Sequence, residues 1–188
     1  MKRILGLLAA LLVAGTASAA TLGDDGLHKA PWMHDTFKDL REDLAEASAE
    51  GKRLLVIVEQ RGCIYCTKMH EEVYPEPKIE AMLNDDFFVV QINMFGDVEV
   101  TDFDGTILSE KDMVQKWGLM FTPTLMFYPK EVAEGASGPQ AAAAVMPGAF
   151  GKWTTYNLFN WVLEEGYLSG ENFQKYHARK IEEGGLFD

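Results

Sequence analysis

Three almost uninterrupted apolar runs stand out along the chain, and each predicts a strand that is buried on both faces. They cover residues 54–58, 87–94 and 124–128 and are rich in β-branched and aromatic side chains. A strand with one solvent-exposed face would alternate apolar and polar residues instead. A fourth strand is predicted near residues 142–146, where a loop rich in glycine and alanine ends. The runs therefore predict a sheet that is covered on both sides.

Between these runs, apolar residues recur every three or four positions, which is the spacing of an amphipathic helix. Helices are predicted over residues 35–51, 78–84 and 109–117, and from Cys63 to the break at Pro75. Two further helices follow near the C-terminus. Helices between buried strands indicate an α/β fold.

Individual residues predict several helix ends and one turn. The helix at 35–51 carries Phe37 on its apolar face and closes at Gly51. Thr154 or Thr155 is the predicted cap of the first C-terminal helix, and Ser169 is that of the last, additional helix. The turn sequence at residues 104–105 predicts a hairpin inserted between a strand and a helix.

The first residues have the pattern of a secretory signal peptide. Lys2 and Arg3 precede an apolar run at residues 4–13, and small residues at 17–19 offer a cleavage site. We therefore predict a signal peptide at residues 1–19 and a single domain at residues 20–188. The periplasm is the simplest compartment, with an uncleaved signal anchor as the alternative. No later apolar stretch approaches the length of a membrane span.

The chain is acidic, with a formal net charge of −12 at pH 7. Nucleic acid is not an expected partner, because binding to phosphate backbones depends on clustered lysine and arginine. Solubility is the simpler interpretation of the acidity. Steering toward a basic protein partner is the other.

The chain has two cysteines, Cys63 and Cys66, separated by two residues. Attachment of a c-type haem requires histidine directly after the second cysteine, and that residue is Thr67. Structural zinc requires four ligands, and His70 would bring the set only to three. A purely structural disulfide over so short a loop would contribute only about 2 kcal/mol. A reactive dithiol is the favoured interpretation, and the structural disulfide is the main alternative.

The predicted helix assigns different roles to the two thiols. A thiolate at a helix N-terminus is stabilised by unsatisfied N–H groups and the helix dipole, which lowers the pKa of the thiol. Cys63 is therefore the predicted nucleophile, and Gly62 leaves room in front of it for a partner's disulfide. Cys66, one turn further along, is the predicted resolving thiol that attacks the mixed disulfide.

The apolar run at 54–58, the cysteine pair and the segment 121–124 together resemble the thioredoxin superfamily over about residues 52–165. The resemblance implies a thioredoxin fold, with a central mixed sheet flanked by helices. It also implies that Pro123 is cis and faces the dithiol, and that Thr122 presents its backbone to an extended peptide substrate. Ile64 and Tyr65 complete the predicted substrate-binding residues. Protein thiols and disulfides are the implied partners, with no metal or organic cofactor beyond the redox-active Cys63–Cys66 disulfide.

Four further segments resemble the periplasmic thioredoxins of bacterial sulfur-oxidation (Sox) systems. They lie at residues 68–73, 100–105, 108–111 and 146–148. This narrower resemblance implies that a membrane thiol transporter supplies the electrons. The electrons would leave toward proteins of thiosulfate oxidation.

Other positions depart from ordinary thioredoxin. The buried acid expected six residues before the first cysteine is replaced by Ile57. Glu59 could act as the proton acceptor instead, although a solvent-facing turn glutamate is the favoured interpretation. His70 could tune the pKa of Cys66, although a surface histidine is favoured.

Three functions stay open at this point. In decreasing order of preference, they are a protein disulfide reductase, a disulfide isomerase or oxidase, and an inert binding module. Tyr65 before the second cysteine and Thr122 before Pro123 resemble the corresponding residues of periplasmic disulfide isomerases more closely than those of thioredoxin. Such isomerases act as dimers, whereas this chain has no evident dimerisation domain, so we expect a monomer. The insert at 95–110 and the tail from residue 166 onward are hypothesised to recognise the partner.

Overall fold

The computed structural model of the chain describes residues 20–184. The predicted signal peptide at residues 1–19 therefore lies outside the described residues. Among residues 20–184, no helix is both long and apolar enough to cross a membrane.

The described residues contain nine strands, five of which form the central sheet. The strands are β1 (Thr21–Leu22), β2 (His28–Lys29), β3 (Met33–His34), β4 (Arg53–Glu59), β5 (Phe87–Asn93), β6 (Glu99–Thr101), β7 (Ile107–Ser109), β8 (Thr124–Phe127) and β9 (Ala144–Pro147). The order in the central sheet is β3, β5, β4, β8, β9, with the first three strands parallel and the last two antiparallel to their neighbours. The predicted central mixed sheet is confirmed.

Helices cover both faces of this sheet. They are α1 (Leu40–Ala49), α2 (Ile64–Lys68), α3 (Pro77–Asp85), α4 (Glu110–Lys116), α5 (Gly138–Ala141), α6 (Lys152–Leu163) and α7 (Phe173–Glu183). A π-helical turn (Met69–Val73) continues α2, and a 3-10 turn (Gly166–Leu168) follows α6. The predicted extra C-terminal helix is α7.

The side chains of β4 supply both halves of the core. Leu55 and Ile57 pack into the cluster formed with α3, α6 and α7. Leu54, Val56 and Val58 pack into the cluster formed with α1 and α4. Burial on both faces explains why this strand is an uninterrupted apolar run.

Three predicted helix ends are wrong. The first helix begins at Leu40, because the Asp39 side chain caps it by accepting hydrogen bonds from two backbone amides; Phe37 precedes the helix and is 94% exposed. Helix α6 begins after Gly151, so Thr154 and Thr155 lie within it. Helix α7 is capped by Asn172 rather than Ser169. Asp39 and Asn172 both accept backbone hydrogen bonds through their side chains, which fixes the starts of α1 and α7.

An N-terminal arm, residues 20–34, lies before α1 and was not predicted as strand. Its strands β1 and β2 pair with each other, and β3 adds to the edge of the central sheet beside β5. Strands of two residues are too short to show an alternating pattern. The arm therefore forms by pairing with distant residues rather than from a local signal.

The predicted hairpin insertion is confirmed as the antiparallel pair β6–β7. Asp102, which is fully buried, accepts hydrogen bonds from the Trp117 ring Nε1 and from Lys116 Nζ, both at 2.8 Å. Asp104 binds the same Lys116 from a more exposed position. Asp102 thus holds the hairpin against the end of α4, so partner recognition by the insert cannot rest on this carboxylate.

We expect Asp102→Ala to lower the free energy of unfolding by about 2–4 kcal/mol, because it leaves the buried Trp117 N–H without its acceptor and removes the buried one of the two carboxylates that bind Lys116. The matched change Asp104→Ala removes an exposed partner of the same lysine and should cost less than about 1 kcal/mol. Urea unfolding followed by tryptophan fluorescence measures both. Equal losses in the two variants would contradict the anchoring role of Asp102.

Candidate active site

Cys63 and Cys66 form a disulfide at the start of α2. Cys63 is the N-cap residue, and its Sγ accepts a hydrogen bond from the Cys66 backbone N–H at 3.0 Å. Cys66 lies one turn further along and is 1% exposed, against 6% for Cys63. The first cysteine is therefore the more accessible of the two.

Gly62 brings the chain from β4 into this helix. Its φ is +70°, in the left-handed region that favours glycine. A Cβ at this position would meet no atom within 4 Å. The backbone turn therefore requires the glycine, and the space in front of Cys63 is open.

Thr122 and Pro123 lie against the disulfide. Their peptide bond is cis. The Thr122 hydroxyl donates a hydrogen bond to Cys63 Sγ at 3.3 Å, and the Thr122 carbonyl oxygen lies 3.5 Å from the same sulfur. Strand register explains this placement, because Val58 near the end of β4 pairs with Thr124 at the start of β8.

Large apolar side chains lie exposed in the segments that follow β4 and β5 and precede β8, at the edge of the sheet that carries the disulfide. We call this set the apolar rim; it comprises Ile64, Tyr65, Phe95, Met120 and Phe121, each more than half exposed. The predicted substrate-binding residues Ile64 and Tyr65 belong to it. Phe95 belongs to the insert at 95–110 that is hypothesised to recognise the partner, whereas Met120 and Phe121 were not predicted as binding residues, since a short apolar stretch in a loop does not show whether its side chains are exposed. An exposed group of this kind is typical of a protein-binding surface.

The favoured interpretation of Glu59 as a solvent-facing turn residue is wrong. Glu59 is the last residue of β4 and is fully buried. Its Oε1 lies 3.0 Å from His70 Nε2, and its Oε2 accepts a hydrogen bond from Gln91 Nε2 at 2.7 Å. A buried carboxylate requires such partners.

The favoured interpretation of His70 as a surface residue is also wrong. His70 lies in the π-helical turn, and its side chain is 1% exposed. The rings of His28 and Trp32, both in the N-terminal arm, stack nearly parallel to it, and Tyr74 meets it edge-on. The arm thus covers a helix face that a local reading of the sequence leaves open to solvent.

Burial also shapes the electrostatics around His70. Burial lowers the pKa of His28, and the neighbouring His70 lowers it further. Burial raises the pKa of Tyr74 well above its usual range, with a smaller contribution from the charge of Glu59. Both shifts favour the neutral forms of these side chains.

His28, Glu59 and His70 bring potential metal-ligand atoms within 4.8 Å of one another. The sequence predicts that the protein binds no metal, from the cysteines and His70 alone, and that stays a prediction. A cavity of about 650 Å³ adjoins it, lined by residues that include Arg61, Gly62, His28 and His70. The cavity lies between the N-terminal arm and the helix that carries the cysteines.

Comparisons with known proteins agree with this architecture. The sequence model of the thioredoxin-like domain family matches residues 40–146. Among solved structures, a thioredoxin-fold protein from Helicobacter pylori has a TM-score of 0.54 at 14% identity, over 71% of this chain and 87% of that one. A thioredoxin from Thermus thermophilus has a TM-score of 0.52 at 21% identity, over 71% and 90%. The search of curated proteins finds no match.

We expect Thr122→Val to raise the pKa of the Cys63 thiol by about half to one pH unit in the reduced protein. The variant keeps the side-chain shape but removes a hydroxyl donor worth about 1 kcal/mol to the thiolate. The pH dependence of alkylation by iodoacetamide measures this change, with Cys66→Ser as the common background so that Cys63 alone reacts.

Thr67→Val is the matched control, because the Thr67 hydroxyl donates to the Cys63 backbone carbonyl and not to its sulfur. Its alkylation profile should stay within about 0.2 pH unit of the parent, since no donor to the thiolate is lost. An unchanged profile in Thr122→Val, or an equal change in both variants, would contradict the contribution of the Thr122 hydroxyl.

Proposed function

Because the chain belongs to the thioredoxin-like domain family, we propose that it is a thiol-disulfide oxidoreductase that reduces disulfides of partner proteins in the periplasm. One observation carries the proposal. Cys63 caps α2 and faces the cis Thr122–Pro123 segment, where two donors, the Cys66 amide and the Thr122 hydroxyl, point at its sulfur. Donors to sulfur stabilise a thiolate, which is the reactive form.

The proposed reaction has two steps, and both are thiol-disulfide exchanges. The Cys63 thiolate attacks one sulfur of the substrate disulfide, forms a mixed disulfide and releases the other substrate sulfur as a thiolate. Cys66 then loses its proton and attacks Cys63 Sγ, which releases the second substrate thiol. The products are a substrate dithiol and the oxidised Cys63–Cys66 pair, so two electrons have passed to the substrate.

Burial explains why the second step belongs to Cys66. Its side chain is the more buried of the two, at 1% exposed, and it is bonded to Cys63 Sγ in the oxidised pair. The step is intramolecular, which gives it a large advantage over attack by a free thiol.

The apolar rim and the Thr122 backbone form the proposed docking site for the substrate. Tyr65 lies between the two cysteines in the sequence and Phe121 directly precedes Thr122, and the two side chains are 58% and 59% exposed. Apolar contacts and backbone hydrogen bonds do not depend on one particular sequence. Such a site suits a protein that reduces several partners.

The proton-acceptor role of Glu59 stays a prediction. Its carboxylate is buried with His70, and His70 follows Cys66 by one helical turn on the buried side of the helix. Side chains four residues apart in a helix lie close together.

The finer parts of the proposal rest on the sequence. The periplasmic location follows from the predicted signal peptide at residues 1–19, and the monomeric state from the lack of an evident dimerisation domain. A membrane thiol transporter as electron donor, and a role in sulfur oxidation, follow from the resemblance to Sox thioredoxins. No metal or organic cofactor takes part in the proposed exchange, because the Cys63–Cys66 pair carries both electrons.

A disulfide isomerase or oxidase is the second candidate, and the Thr122 hydroxyl favours it. A donor to Cys63 Sγ stabilises the thiolate and with it the reduced form of the pair. A stabilised reduced form makes a dithiol a stronger oxidant. The same active site would then accept electrons from exported proteins instead of delivering them.

We expect Cys63→Ser to be inactive toward a protein disulfide substrate with dithiothreitol as reductant. The substrate should then be reduced no faster than by dithiothreitol alone. Cys66→Ser, reduced beforehand and then freed of dithiothreitol, should react once with the substrate disulfide and remain as a mixed disulfide, because the resolving thiol is missing and no other thiol is in excess. Non-reducing electrophoresis and mass spectrometry measure the trapped species. The double variant is the control, and it should trap nothing.

Full turnover by Cys63→Ser would overturn the proposed function. A pair that stays oxidised in millimolar dithiothreitol, with no trapping by Cys66→Ser, would instead favour an inert binding module.

A further inference from the structure

The cluster of His28, Glu59 and His70 joins three segments that are distant in the sequence. His28 comes from β2 in the N-terminal arm, Glu59 from the end of β4, and His70 from the π-helical turn after the cysteines. Two imidazoles and one carboxylate are a donor set that zinc and related transition metals prefer. The cluster does not include either cysteine.

The hydrogen bonds at His70 leave one nitrogen unused. Nε2 faces Glu59, whereas Nδ1 is buried and has no hydrogen-bond partner among the described residues. A buried N–H without an acceptor costs about 1–3 kcal/mol, so the favoured tautomer carries its proton on Nε2 and donates it to Glu59. Nδ1 then holds a free lone pair.

Within residues 20–184, the Glu59 carboxylate has two hydrogen-bond partners, the His70 ring and the Gln91 amide. Lys29 belongs to this network but donates to Gln91 and Asp25 rather than to Glu59. Buried carboxylates are normally paired with a cation or bind a metal.

We propose that this cluster binds a divalent transition-metal ion such as Zn²⁺, with His28 and His70 as ligands and Glu59 as the anionic partner. His70 can ligate through Nδ1 while its Nε2–H stays on Glu59, which is the arrangement of carboxylate–histidine–metal sites. His70 can also ligate through Nε2. Glu59, whose Oε1 lies 3.0 Å from that nitrogen, is then a third ligand. In both arrangements the cation balances the buried carboxylate.

Binding requires a movement of His28. Its ring lies at 12° to the plane of His70, and nitrogens of parallel stacked rings do not point at one ion. His28 is only partly buried, in a two-residue strand at the rim of the 650 Å³ cavity, so it is the ring that can turn. The cavity supplies the entry path and space for water ligands, which complete a site with an open position.

Isothermal titration of the oxidised, untagged protein with Zn²⁺ tests the proposal. Oxidation holds both cysteines in the disulfide, and the absence of a polyhistidine tag removes the other strong ligands. We expect one Zn²⁺ per chain and an affinity at least tenfold lower in His28→Ala. His177→Ala is the matched control, because His177 lies between α6 and α7 with Asn157 as its partner, and it should bind like the parent.

No binding up to millimolar Zn²⁺, or equal affinity in His28→Ala and the parent, would overturn the site. Equal weakening in His177→Ala would do so as well. If His28→Ala loses the circular dichroism of the folded protein, Glu59→Gln decides, because it keeps the side-chain shape and removes the charge; unchanged affinity in that variant overturns the proposal. Because the titration uses the disulfide form, its outcome is independent of the dithiol exchange proposed above.

Discussion

The register between β4 and β8 is the constraint on which the active site depends. The two strands are antiparallel, with Val58 opposite Thr124, so the end of one and the start of the other lie at the same edge of the sheet. Cys63 follows β4 and Thr122 precedes β8, which brings the hydroxyl and the sulfur within 3.3 Å. A slip by one residue would turn every side chain of β8 to the opposite face. The two buried core clusters oppose such a slip, so the packing of the core also positions the chemistry.

Much of this arrangement can be predicted from the sequence, because it depends on local signals. Burial on both faces makes β4 and β5 apolar runs, and the spacing of Cys63 and Cys66 identifies one turn of helix. The hairpin at Asp104–Gly105 follows from its turn residues. Each of these features is encoded within about ten residues.

The surroundings of Glu59 could not be predicted in this way. Its burial depends on Gln91, 32 residues away, and on an arm whose two-residue strands carry no periodic signal. His70 is covered by His28 and Trp32 from the same arm. A polar residue directly after an apolar run is usually in a turn, and a single histidine in a helix is usually exposed, so local rules assign both side chains to solvent. Only the tertiary contacts show that they form a buried polar network, and such networks hold their members in fixed positions.

The equilibrium reduction potential of the Cys63–Cys66 pair tests the central claim, that this dithiol reduces partner proteins, most directly. It is measured by equilibrating the protein with a series of glutathione or dithiothreitol buffers and quantifying the oxidised fraction. For a reductase, we expect a potential of about −250 mV or lower, near that of thioredoxin. A value of about −120 to −180 mV would place the pair with disulfide oxidases and isomerases and would contradict reduction as the main role.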